Sequence, residues 1–243
     1  LAVTINYVQY QDELAKIIAT DVGDPNFSAI VPGTIDYAEQ RIYRDLNLVA
    51  TRVADTSKST TPNQREFDLP AAHGTFITVT GVNVITPAGT DITNTTPSSV
   101  TPTRTALASA TRNLVDYIAP SEIAASSDQT PSMYYMRDQD TIVLGPSPGG
   151  AFQVEVVGTI RPTPLSASNP TTFLCTYLPD LFIAASMVFL SGWMRNFGSQ
   201  ADDPKMAMSW EATYQQLLQS AQAEEARRRW NSELTPGMQP TRT

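Results

Sequence analysis

One cysteine and one histidine occur among 243 residues. A lone Cys175 cannot close an intramolecular disulfide, so nothing in the chain demands an oxidising compartment. A zinc site needs several Cys or His ligands at short spacing, and the sequence has no such cluster. Cys175 and His73 are the sole material for a thiolate–imidazole pair. Cys175 follows the apolar Phe173-Leu174, a setting that favours an inert buried thiol. Phosphate-cradling and catalytic signatures are also missing: there is no Walker A, GxGxxG, GxSxG or HExxH pattern. No metal, cofactor or enzymatic role is expected.

Basic charge is scarce. Sixteen Lys and Arg stand against twenty-four Asp and Glu, giving a net charge of −8 and a pI near 4.6. That balance opposes a phosphate-gripping surface. Long apolar runs are lacking as well. A membrane helix needs ~20 apolar residues. The most apolar stretch is bracketed by Asp180 and Arg195 and interrupted by Ser186, Ser191 and Gly192. Leu1 opens into Ala-Val-Thr-Ile with no basic n-region, which predicts no secretory signal. Hydrophobic residues make up 41% of the chain, enough for the core of one large domain or two modest ones.

Helical periodicity is present at both ends. Leu178–Phe197 is apolar on nearly every side, with Pro179 suited to a first helical position and Gly198 to a stop. Such a helix belongs in the centre of a bundle. A second helix runs from the Asp203-Pro204 cap to about Trp230, with Met206, Trp210, Tyr214, Leu217 and Ala221 on one face. Its end pairs Glu224 with Arg228 and Glu225 with Arg229 at helical spacing, and Arg227–Arg229 suit the negative end of the dipole, so a solvated helix end explains the run. At the other end of the chain, Asn6 can cap a helix through Tyr7, Tyr10, Leu14 and Ile17-Ile18, which Gly23 and Pro25 stop. The next begins near Pro32 or Thr34 and buries Ile35, Ala38, Ile42 and Leu46, leaving Asp36, Glu39, Arg41, Arg44 and Asp45 outward.

From Thr51 the texture changes to short β-branched and aromatic runs between turn residues. They are Glu66–Leu69, Phe76–Ile85, Val100–Ala119, Ser132–Arg137, Thr141–Leu144 and Phe152–Ile160. Asp138-Gln139-Asp140 reads as a hairpin turn, and Gly145–Gly150 as the link between the next pair. Asp128, Asp138 and Asp140 lack EF-hand spacing and read as turn formers. The expected fold is α+β. Residues 1–50 and 173–230 form one helical bundle, 51–172 an inserted antiparallel β-sandwich or barrel-like lobe, and 231–243 an extended tail with Pro236, Gly237 and Pro240.

Ile35-Asp36-Tyr37-Ala38-Glu39-Gln40-Arg41-Ile42-Tyr43-Arg44-Asp45-Leu46 resembles the "xxAExRIxRDL" helix of tailed-phage head–tail adaptor (connector, or head-completion) proteins. The apolar helix, long helix and loose tail at the C-terminal end are similar to that family too. The resemblance implies a structural virion protein of the neck, assembled in the host cytoplasm. It implies a ring of twelve copies below the portal protein, a next tail or neck component beyond it, and DNA passing through the lumen. It also implies that the tail docks on the portal, for which Trp230, Leu234 and Met238 are the candidate residues. Glu39, Arg41, Arg44 and Asp45 are candidates for the contact between neighbouring subunits, which in a closed ring is heterologous. Two other readings stand beside this one. Tyr134 and Tyr135 on a sandwich could stack on sugars in a carbohydrate-binding or adhesion module, and paired carboxylates such as Glu122 and Asp128 could serve a hydrolase.

The acidic balance generates a first expectation. The isolated protein should show no steeply salt-dependent DNA binding at physiological ionic strength, as measured by titration of a duplex at several salt concentrations. A slope corresponding to several phosphate contacts would contradict it.

Overall fold

The computed structural model describes residues 5–93, 101–120, 126, 129–194 and 204–233. Along the chain come α1 (Tyr7–Ile17), α2 (Pro25–Asp45), β1 (Arg52–Ser59), β2 (Glu66–Asp68), β3 (Gly74–Thr86), β4 (Thr103–Ala106) and β5 (Ala108–Ser109). They are followed by α3 (Arg112–Ile118), β6 (Met133–Met136), β7 (Thr141–Gly145), β8 (Gln153–Pro162), α4 (Phe173–Tyr177), α5 (Pro179–Met194) and α6 (Pro204–Glu233). These elements form two compact units. One holds the helices before Ala50 and after Thr163; the other is Thr51–Pro162. The architecture is α+β, with a helical bundle from both chain ends and strands inserted between them.

In the helical unit, α5 is the centre. Leu181, Phe182, Ala184, Ala185, Met187 and Leu190 are all buried, so its apolar side chains point to nearly every side. Helices α1, α2, α4 and α6 pack around it. Each fully buried large side chain contributes ~1.5–3 kcal/mol. Tyr10 of α1 stacks on Phe182 at 4.7 Å, and its hydroxyl hydrogen-bonds Ser186 Oγ at 2.6 Å. The Ser186 hydroxyl in turn donates to the Phe182 carbonyl at 2.7 Å. The serines that interrupt the apolar run are thus satisfied within the core. Leu14 and Ile42 are buried in the same cluster that Val188 and Trp210 pack against.

Local signals explain the helix ends. Asn6 accepts the Gln9 N–H at 2.9 Å while the Gln9 side chain accepts the Asn6 N–H at 3.0 Å, a reciprocal cap. Helix α2 starts earlier than the sequence suggests. Asp24 caps it, accepting the Asn26 N–H at 2.7 Å, and Pro25 takes the first turn. Pro32 lies inside the helix. An internal proline costs roughly 3 kcal/mol. Burial of Val31 and Phe27, which extend the stripe of Ile35, Ala38 and Ile42 by one and two turns, offsets it. Helix α6 runs three residues past Trp230. Phe197, Gly198 and Asp203 lie outside the described residues.

The second unit pairs two four-stranded sheets, in the orders β1-β8-β3-β4 and β2-β7-β6-β5. Alternating residues of facing strands make its core: Val82 and Val84, Val154 and Val156, Ile142 and Leu144. The β6–β7 hairpin turns at Asp138–Asp140, where Asp138 accepts the Asp140 N–H at 3.1 Å. The link after Gly145 does not join a hairpin: β7 and β8 lie in different sheets, so it carries the chain across the sandwich. The stretch read as strands over Val100–Ala119 holds only the short β4 and β5, then helix α3. Leu114, Val115 and Ile118 sit three and four apart, a helical spacing within a β-branched run, and only Val115 of α3 is buried. Within the otherwise antiparallel pairing, β5 and β6 run parallel.

Strand β8 lies so close to the bulged β3 that a side chain at Gly158 has no room. A Cβ there would stand 2.1 Å from the Thr78 carbonyl oxygen. Gly158→Ala is expected to destabilise the chain by ~2–4 kcal/mol in chemical denaturation. Gly81→Ala, which meets nothing within 4 Å, should change stability by under ~1 kcal/mol.

Candidate interaction surfaces

The α2 motif does not present one outward charged face. Glu39 is 4% exposed and points inward, where its carboxylate accepts the Leu165 N–H at 3.0 Å. Arg41 reaches across to α6, donating to Glu211 Oε1 at 2.6 Å while its guanidinium lies 4.1 Å from the centre of the Tyr214 ring. The Tyr214 hydroxyl donates to Asp45 at 2.7 Å. Arg41, Glu211, Tyr214 and Asp45 therefore lock α2 to α6 within the chain. The hydrogen bond from Arg41 holds the Glu211 carboxyl below its usual range. Burial, then the bond to Asp45, push the Tyr214 phenol up. Arg44 and Asp45 are exposed, but Asp45 is tied to Tyr214, whereas Arg44 only turns its Nε–H back to the Gln40 carbonyl at 3.0 Å.

A helical wheel carries the signal for this arrangement. At ~100° per residue, Glu39 falls about 80° to one side of the Val31–Ala38–Ile42 stripe and Asp45 about 40° to the other, while Arg44 falls about 140° from it. Charge was the misleading cue. Tyr214 was legible as core, but its hydroxyl partner, sitting on another helix far along the chain, was not.

The end of α6 is more tightly held than a solvated helix end. Arg228 pairs with Glu224, as its spacing suggests, and also with Glu225 at 2.9 Å. Glu225 is buried and also accepts the Val49 N–H at 3.0 Å. Arg229 donates to the Asn47 carbonyl at 2.8 Å. The Arg228 guanidinium also lies over the rings of Phe173 and Tyr177, at 5.6 and 5.4 Å. Backbone groups just past the end of α2 thus become the partners of the acid–base run. Trp230, one residue beyond, is 70% exposed. Leu234 and Met238 lie outside the described residues.

The other candidates separate. Cys175 is fully buried, and burial pushes its thiol up, so it is no ready thiolate. His73 is exposed. Tyr134 is buried in the sandwich core, while Tyr135 lines a cleft. Asp138 is ion-paired with Arg137 at 3.1 Å. Glu122 and Asp128 lie outside the described residues. Among the described residues, no group of three or more His, Cys, Asp or Glu could hold a metal ion, and no helix is long and apolar enough to cross a membrane.

Glu39 generates a pH expectation. Burial raises its carboxyl to about 7, the Leu165 bond opposes the rise, and Asp36 adds to it. The unfolded chain ionises this group near 4.5, so its contribution is most favourable below that pH. The contribution is lost as pH rises towards about 7, and is constant above. Glu39→Gln keeps an acceptor for Leu165 without the charge. It is expected to be more stable than the parent at about pH 8, by on the order of 2 kcal/mol, with the difference vanishing near pH 4. Equal stability of the two proteins across this range, in denaturant titrations, would contradict it.

No curated protein matches the chain. A family model described as SU10 adaptor protein matches residues 6–237, which takes in both helical ends and the sandwich between them. The chain therefore belongs to the SU10 adaptor protein family, the head–tail adaptors of a tailed phage.

Proposed function

We propose that this structural virion protein acts as a ring-forming adaptor of about twelve copies, seated directly below the portal protein, with the next tail or neck component on its far side. DNA passes through the ring without specific binding, the neck is assembled in the host cytoplasm, and no catalysis is involved. The observation that carries the portal contact is the end of α6. Glu225, Arg228 and Arg229 are anchored to their own subunit, yet Trp230 beside them is 70% exposed. A rigidly aimed helix end with an uncovered aromatic is suited to a partner, because holding it costs little further entropy. Leu234 and Met238 would extend the same contact. Pro236 and Pro240 narrow the free chain's conformations and lower the cost of ordering it.

Between neighbours in the ring, Arg44 is the one of the four α2 candidates that is exposed and not tied to another element, which suits it to an outward contact. Glu39, Arg41 and Asp45 are engaged inside the subunit. Single surface pairs contribute ~0–1 kcal/mol, so repetition around the ring would set the register.

The test is truncation after Glu233, which leaves α6 whole. The variant should keep its melting temperature but fail to complete DNA-filled heads, giving particles that leak DNA. Completion of heads at the full-length level would rule out the tail as the docking element.

A further inference from the structure

The sandwich unit carries a cleft distinct from the residues assigned above to the portal and ring contacts. It lies on the outer face of the β2-β7-β6-β5 sheet, beside α3, and has a volume of about 690 Å³. That falls within the ~300–1,000 Å³ common for small-ligand sites. Arg65, Glu66, Arg112, Asp116, Tyr135 and Arg137 line it. Strand alternation explains the aromatic wall: Tyr134 faces the core, so Tyr135, paired with Val143, faces the opposite side.

The charges of the cleft are paired off. Asp116 is held by Arg65 at 3.1 Å and by Arg112 at 3.5 Å. Arg137 pairs with Glu66 and with Asp138. Two carboxylates of the lining, Glu66 and Asp116, and Asp138 just outside it thus engage the three guanidiniums, so each cation that a phosphate or an acidic chain would seek already has an anionic partner. The pairs also fix the side chains. Arg65 is 10% exposed at its side chain and donates through Nε–H to the Leu144 carbonyl at 3.0 Å. Ties between α3 and the start of β2, and between the β6–β7 turn and β2, set the walls before any ligand arrives, which removes much of the ordering cost of binding.

Unused hydrogen-bonding capacity remains, and it is of both kinds. Nη1 of Arg65 and Nη2 of Arg137 are donors beyond their ion pairs, and the paired carboxylates keep lone pairs. The side-chain amide of Gln64 and the hydroxyl of Tyr135 make no hydrogen bond within the described residues, and both can donate and accept. A wall where fixed donors alternate with fixed acceptors matches a group that does both, the hydroxyl. An aromatic ring with a polar tip matches a ligand with an apolar face and a polar rim.

We propose that this cleft binds a neutral polyhydroxylated ligand, one or two sugar units of a glycan, with a sugar face on Tyr135 and its hydroxyls among Arg65, Asp116, Glu66 and Arg137. Three alternatives fit less well. A phosphate or nucleic acid would meet compensating carboxylates. An apolar peptide would bury ion pairs against hydrocarbon. A metal would find its carboxylates already engaged by guanidiniums.

The experiment is saturation-transfer NMR and calorimetry on the full chain with maltotriose, cellotriose and diacetylchitobiose. Inorganic phosphate and an acidic hexapeptide serve as competitors. At least one neutral saccharide should bind saturably, with a Kd on the order of 1 mM or below and little change with salt. Tyr135→Ala should weaken it ~10-fold or more. Tyr135→Phe should retain most of it, and Asp116→Asn should weaken it. Melting curves of the three variants separate loss of fold from loss of binding. If no saccharide of the panel binds, if phosphate or the peptide binds instead, or if binding survives both Tyr135→Ala and Asp116→Asn in folded protein, the proposal is overturned. Ring assembly and head completion by Tyr135→Ala should match the parent, so this result and the adaptor reading fail independently.

Discussion

Helix α5 is apolar to nearly all sides, and a helix of that kind is stable in water only when it is covered. That constraint organises the helical unit. It requires helices from both ends of the chain, because none alone offers enough apolar surface, and it ties the ends together whatever lies between them. The inserted strands are free of this demand and build a separate core from their own alternating residues. Polar groups inside the bundle follow the same logic. Ser186 closes on Tyr10, Glu39 on the Leu165 amide and Glu225 on the Val49 amide. Two of these ties hold segments flanking the strand insertion, those at Val49 and Leu165, so they fix where the bundle releases the chain and takes it back.

Local chemistry made much of this legible from residues alone. The Asn6 cap, the packing of Trp210, Tyr214, Leu217 and Ala221 of α6, the central placement of α5 and the Asp138 turn all depend on neighbours a few positions away, and they are found where their patterns put them, with Leu218 of α6 buried as well. What was hidden depends on distant partners. Pro25 and Pro32 look like a stop and a start, until burial of Phe27 and Val31 decides that one helix begins at Pro25 and runs through Pro32. Leu114 to Ile118 look like strand because branched residues suit strands, yet their spacing is helical. Glu39 looks like surface because it is charged. Its partner is a backbone amide on the far side of the insertion, which no periodicity could reveal.

The same distinction separates what the α2 motif does from what it advertises. Its charges serve mainly to bind α2 to α6, through Arg41 and Glu211 and through Asp45 and Tyr214. The charges of α2 then serve the internal geometry of the helical unit, and in the proposed reading outward recognition is left to residues at the end of α6. Arg228 and Arg229 are anchored at that end, and Trp230 beside them is exposed.

The central claim is that this geometry presents the α6 end to the portal from a closed ring. The most direct measurement is an electron cryo-microscopy reconstruction of the assembled neck. A ring of this chain in direct contact with the portal, with Trp230 buried at that contact, is the expected result. A chain bound away from the portal, or a ring whose Trp230 remains in solvent, would contradict it.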